Sequence, residues 1–105
     1  MILKRRAVRL ALKELAKDAE DSHVIARRLK DAGITGGIGM FNCPIAQYLR
    51  RTTGVKARVL PNSVTNGWLS RVPVKIPGTV SAFIKLYDDG YYPELESYRE
   101  MEMLS

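Results

Sequence analysis

Residues 43–59 read CPIAQYLRRTTGVKARV, and a change of rhythm inside this run decides the fold class. Ile45, Ala46, Tyr48, Leu49 and Thr52 recur at helical spacing. From Val55 the period becomes two, with Val55, Ala57 and Val59 alternating with Lys56 and Arg58 as in a half-buried strand. Pro44 suits a first helical position, which makes Cys43 the N-cap. Gly54 followed by Val55 reads as the helix stop, because glycine accepts the left-handed conformation there and the next apolar residue folds back.

Upstream of this run the chain reads as two more helices. Leu3 to Ala19 is amphipathic, with Leu3, Ala7, Leu10, Ala11, Leu15 and Ala19 expected on one face. Lys4, Arg5, Arg6, Arg9, Lys13 and Lys17 cover much of the remainder. A second helix begins at Asp21 or Ser22, both good N-caps, and runs to Ala32 on a stripe of Ile25, Leu29 and Ala32. Gly33–Ile34 predicts a Schellman stop. The connection 35–42 (TGGIGMFN) is glycine-rich, with Ile38, Met40 and Phe41 expected to plug into the core.

Downstream, Pro61–Asn62 marks a turn and Ser63–Thr65 a short strand. Asn66–Gly67 is the strongest hairpin signal in the chain, since a type I′ turn needs positive φ at both central residues. Trp68 to Ile76 continues the strand pattern, with Pro73 confined to an edge or a break. A fourth helix opens at Pro77–Gly78, with Thr79 as cap and Val80, Phe83, Ile84 and Tyr87 on one face, and closes at Asp88–Asp89–Gly90. Glu94 to Leu104 is expected to form a last helix. The expectation is a single α+β domain over 1–105: three N-terminal helices, a short antiparallel meander and one or two C-terminal helices. The acidic segment 88–105 packs on that domain.

Composition narrows the function classes. With 105 residues, 46% apolar and 27% charged, the chain has the balance of one soluble globular domain. No stretch approaches the roughly 20 apolar residues that span a bilayer, and no basic-then-apolar leader opens the chain, so a cytoplasmic location is expected. One cysteine and one histidine leave no internal disulfide and no Cys/His zinc set, and no cofactor or metal is expected. Charge is uneven: residues 1–60 hold 13 Lys/Arg against 5 Asp/Glu, and residues 61–105 hold 4 against 6. A basic body attracts polyanions or acidic partner surfaces.

Three helices followed by a hairpin is the element order of a winged helix-turn-helix. In that reading 22–33 supports, 44–53 recognises and 55–76 is the wing. Arg27, Arg28, Gln47, Arg50, Arg51, Lys56, Arg58 and Arg71 form the nucleic-acid contact set, with Asn66 a further wing residue. Two departures stand against it. The inter-helix turn is about nine residues where the motif uses three or four. The recognition cations also lie at the helix's C-terminal end, whereas base contacts come from its N-terminal part.

Cys43 is a second candidate, because a thiol at a helix N-terminus can have its pKa lowered. His23 could serve as its base, yet it precedes the cysteine, and no histidine follows as it does in cell-wall peptidases. Gly37–Ile38–Gly39 before a helix start invites a phosphate reading, but it lacks the later glycine of GxGxxG and any Gly-Lys-Ser/Thr. Tyr91, Tyr92 and Tyr98 sit among acids, which favours core anchoring or a protein contact over base stacking.

One wider likeness covers most of the chain. The runs Gly33-Ile-Thr-Gly, Asn42-Cys-Pro-Ile-Ala-Gln-Tyr-Leu-Arg, Ile76-Pro, Val80 to Phe83-Ile84 and Asp89-Gly-Tyr-Tyr-Pro-Glu-Leu resemble a group of small proteins of actinobacteria and their phages. The resemblance implies a compact cytoplasmic accessory protein and carries no activity with it. The leading expectation is a non-enzymatic binder of nucleic acid through the basic half. The alternative is an adaptor or inhibitor docking an acidic partner protein through the same face, with homodimer formation open. A Cys43-dependent enzyme comes third.

Overall fold

The computed structural model describes residues 2–37, 39–65 and 73–96. Four α-helices and a small sheet follow in order: α1 Ile2–Ala16, α2 Ser22–Asp31, α3 Pro44–Thr53, β1 Arg58–Val59, β2 Ser63–Thr65, β3 Val74–Lys75 and α4 Gly78–Asp88, then a 3-10 turn at Pro93–Leu95. The expected α+β class is present. The sheet runs β1-β2-β3, antiparallel throughout, with Val64 of β2 opposite Val59 on one side and Val74 on the other. The Asn66–Gly67 turn, Trp68 to Val72 including Arg71, Ile38 and the stretch 97–105 lie outside the described residues.

One apolar cluster unites all of these elements, with Phe83, Leu12, Ile25, Leu29, Ile45, Leu49, Leu95 and Val80 fully buried. The helices pair off rather than stacking in sequence: α1 packs chiefly on α3, and α2 on α4. Tyr48 of α3 fixes the first pair by donating its hydroxyl to the Ala11 carbonyl at 2.8 Å. In the second, Tyr92 stacks on Phe83 with 5.0 Å between centroids, and its hydroxyl donates to Ser22 Oγ at 2.9 Å.

Local signals read from the sequence recur with their chemistry. Asp21 caps α2 by accepting from the backbone N–H groups of His23 and Val24 at 2.9 and 3.2 Å. The Schellman stop is formed, with Gly33 N–H donating to Lys30 O and Ile34 N–H to Leu29 O, both at 2.9 Å. At the end of α3, Gly54 adopts φ +75° and donates to Arg50 O at 2.9 Å, a single 5→1 bond in place of the double Schellman pair.

Several expectations need correction. Helix α1 stops at Ala16, three residues before Ala19, because Asp18 turns to φ +58°. Its core ridge is Val8, Leu12 and Leu15, while Leu10 is 56% exposed. Val8 offers a larger apolar side chain than Ala7 or Ala11, so the wheel rotates to bury it. Only Arg58–Val59 of the Val55–Val59 pattern is paired as strand, although the burial alternation runs through the whole segment. Thr79 is not the cap of α4, whose N-cap is Pro77. Glu94 to Glu96 is not α-helical: Pro93–Leu95 makes one 3-10 turn and Glu96 forms a parallel bridge with Gly36. Met40 and Phe41 are 38% and 43% exposed rather than core plugs.

At the Gly36 bridge the backbone packs too closely for any side chain. A Cβ there would lie 2.5 Å from Pro44 N, 2.6 Å from Asn42 O and 2.7 Å from the Cys43 carbonyl carbon. Gly36 N–H donates to Leu95 O at 2.8 Å, Gly37 N–H donates to Asn42 O at 2.7 Å, and Tyr87 donates its hydroxyl toward the carbonyls of Gly36 and Gly37. This crossing holds the start of α3 against the end of α2. It thereby sets the only neighbourhood among the described residues where several of the expected contact side chains meet.

A cationic notch between α2 and α3

Gln47, Arg50 and Arg51 lie within one arc of α3, opposite the buried Ile45, Ala46 and Leu49. They line a cavity of about 520 Å³ whose other wall is Gly33, Ile34, Thr35 and Gly36. Among the described residues no carboxylate lines it. Arg50 is exposed, and its guanidinium has no hydrogen bond or ion pair among the described residues.

Arg51 is also exposed but has a structural task. Its Nη1 donates to the Ala32 carbonyl at 2.7 Å, closing the C-terminal end of α2. Arg28 does the same for α1, its Nη1 donating to Leu15 O at 2.6 Å. Helix C-termini carry unsatisfied carbonyls and a partial negative charge, so a guanidinium is well placed at both. Each arginine commits one of its five N–H donors and keeps its charge.

The rest of the expected contact set is dispersed. Arg27 borders a different hollow, of about 430 Å³, with His23, Lys30, Asp31, Tyr92 and Glu94, where two acids oppose the cations. Lys56 and Arg58 project from the β1 segment, and Arg58 Nε donates to Met40 Sδ at 2.7 Å. Arg71 lies outside the described residues. The winged-helix order is not realised as a helix-turn-helix unit: twelve residues, 32–43, separate α2 from α3, and the two helices rest on different partners.

Cys43 sits at the N-cap of α3, as expected, but without a side-chain capping bond and only 5% exposed. Burial pushes its thiol pKa up, and this outweighs the downward pull of the Ala46 and Ile45 amides; the nearby Asp88 charge adds to the rise. A helix N-terminus lowers a thiol pKa only where the thiolate stays hydrated, and here it is not. His23 is engaged elsewhere, its Nδ1 3.1 Å from the Tyr92 hydroxyl. Among the described residues no group of three His, Cys, Asp or Glu side chains is placed to hold a metal, and no helix is long and apolar enough to cross a membrane.

Arg6, Arg9 and Lys13 form an exposed stripe on the outer face of α1, part of the basic surface expected from the sequence, with exposed Lys17 just past the helix end. On another side a cleft of about 510 Å³ has apolar walls from Met40, Val59, Leu60 and Ile84 and carries Asp88 and Asp89. No periodicity announces it, because its walls come from three separate segments. Comparison with family models, curated proteins and solved structures returned no match for this chain.

Proposed function

We propose that this α+β domain is a non-enzymatic accessory protein of the cytoplasm that binds nucleic acid through backbone phosphates at the α2–α3 notch. The observation that carries the reading is the convergence of Gln47, Arg50 and Arg51 on one cavity that no carboxylate lines among the described residues. Arginine forks match phosphate oxygens in pairs, and a glutamine beside them adds a neutral donor. The net charge of +6 supplies the long-range attraction that brings a polyanion to such a notch. Backbone contact suits the position of the two arginines in the last turn of α3, since base contacts come from the N-terminal part of a recognition helix.

Fluorescence anisotropy with labelled duplex and single strand, titrated with salt, tests this. Each phosphate neutralised contributes a slope of about −0.9 in log K against log salt on duplex and about −0.7 on single strands. Arg50→Ala is expected to weaken binding and to reduce that slope by about one contact, with no change in melting temperature. Absence of binding at low salt, or an unchanged slope in Arg50→Ala, overturns the proposal.

A further inference from the structure

The stripe on α1 has an apolar centre. Leu10 stands on the outer face, 56% exposed, with Arg6 and Lys13 one turn away on either side and the exposed Arg9 beside it in sequence. The ridge Val8, Leu12 and Leu15 points the opposite way into the core, and Leu10 lies outside the apolar cluster. A cleft elsewhere on the molecule carries the converse arrangement. The cleft walled by Met40, Leu60 and Ile84 has Asp88 and Asp89 at the end of α4 as its charged rim. Tyr91, 65% exposed, follows that rim directly.

One chain thus bears an apolar knob flanked by cations and an apolar cleft with two exposed carboxylates at the α4 end of its rim, Arg58 lying on the Met40 wall. Leu10 is not among the residues lining the cleft and is fixed on a helix packed into the same core, so the two do not meet within one molecule. From this complementarity we infer that the protein self-associates head to tail, Leu10 of one copy entering the Met40–Leu60–Ile84 cleft of the next while Arg9 and Lys13 oppose Asp88 and Asp89. The partner is a second copy because this chain supplies both halves of the pair. The contact is heterologous: every copy keeps one knob and one cleft free, so assembly proceeds to a ring or an open chain rather than stopping at two. A single side chain and a charged rim make a small interface, and association is therefore reversible and weakened by salt.

The inference does not depend on the nucleic-acid reading, and its test uses nuclease-treated protein without added nucleic acid. Sedimentation velocity over a wide concentration range at low salt is expected to give masses rising above the 11.8 kDa of the monomer. Leu10→Asp alters an exposed side chain and is expected to remain monomeric with an unchanged melting temperature. Lys13→Glu spoils the knob and Asp88→Lys spoils the cleft, so each alone is expected to be monomeric. Mixed, the intact knob of Asp88→Lys meets the intact cleft of Lys13→Glu, and the two reversed charges attract in turn, so association returns. A monomeric parent at every concentration, undiminished association of Leu10→Asp, or a mixture that fails to pair overturns the inference.

Discussion

Replacing Gly36 by alanine is the sharpest test of how this fold holds its notch open. The added methyl would stand 2.5–2.7 Å from three backbone atoms of residues 42–44, none of which has a flexible side chain's freedom to move aside. The 36–37 segment must therefore separate from the start of α3. Overpacking of this kind costs about 1–3 kcal/mol. Separation also strains the Gly37–Asn42 bond and the buried Tyr87 hydroxyl's contact with the Gly36 carbonyl, each worth about 0.5–1.5 kcal/mol net. The expected loss is about 3–5 kcal/mol, a large share of the roughly 5–15 kcal/mol that holds a domain of this size together. Thermal and urea denaturation followed by circular dichroism would show a melting temperature lower by about 12–20 °C. Gly37→Ala is the control one residue away: its new methyl meets only Asn42 Cβ at an ordinary 3.7 Å, and its φ lies outside the left-handed region. That variant is expected within about 1 kcal/mol of the parent. A Gly36→Ala loss below about 1 kcal/mol, or an equal loss in Gly37→Ala, would refute the steric argument.

Three further outcomes follow from the same contacts. Arg28→Ala is expected to cost about 1–2 kcal/mol and Arg51→Ala about 0.5–1 kcal/mol, because each frees a helix-end carbonyl, while Arg50→Ala stays within about 0.5 kcal/mol; urea midpoints rank the three. Cys43 is expected to resist iodoacetamide at neutral pH in the folded protein and to react once the chain is unfolded, since its thiol is buried and its pKa raised; rapid native labelling would contradict this. Burial and then the neighbouring Asp89 charge raise the carboxyl pKa of Asp88, so the folded form holds that proton more tightly than the unfolded chain. The resulting stability is present below the ordinary carboxylate range and lost as pH rises through the folded pKa. Asp88→Asn is accordingly expected to melt higher than the parent at pH 7, with the difference shrinking on acidification.

The parts of the fold legible in the sequence were those governed by neighbours in the chain. Asp21, Gly33–Ile34, Pro44 and Gly54 act within a turn or two of themselves, and all four behave as their local chemistry dictates. What escaped was set by distant contacts. The wheel of α1 admitted two rotations, one burying Leu10 and one burying Val8, and α3 and α4 selected the second. Met40 and Phe41 looked like core residues because they are apolar. The glycines around them instead carry the chain across the surface, where the Met40 carbonyl accepts from Val59 N–H at 2.7 Å and covers the free edge of β1.

The arginines show most clearly why charge read from sequence misjudges a binding site. A cation in the last turn of a helix satisfies the dipole of its own helix, and the sequence suggests nothing more. In three dimensions Arg28 and Arg51 reach across to carbonyls ending a neighbouring helix, Leu15 of α1 and Ala32 of α2. They lock the order in which α1, α2 and α3 meet. Mutating them would perturb binding and fold together, so a loss of affinity in either would say little about the ligand. Arg50 differs from Arg51 by one position in sequence and by a rotation of about 100° on the helix, enough to leave its guanidinium unengaged. The α2–α3 notch therefore has one arginine that positions the wall and one that is free to meet a phosphate, and only the second can separate a binding defect from a folding defect.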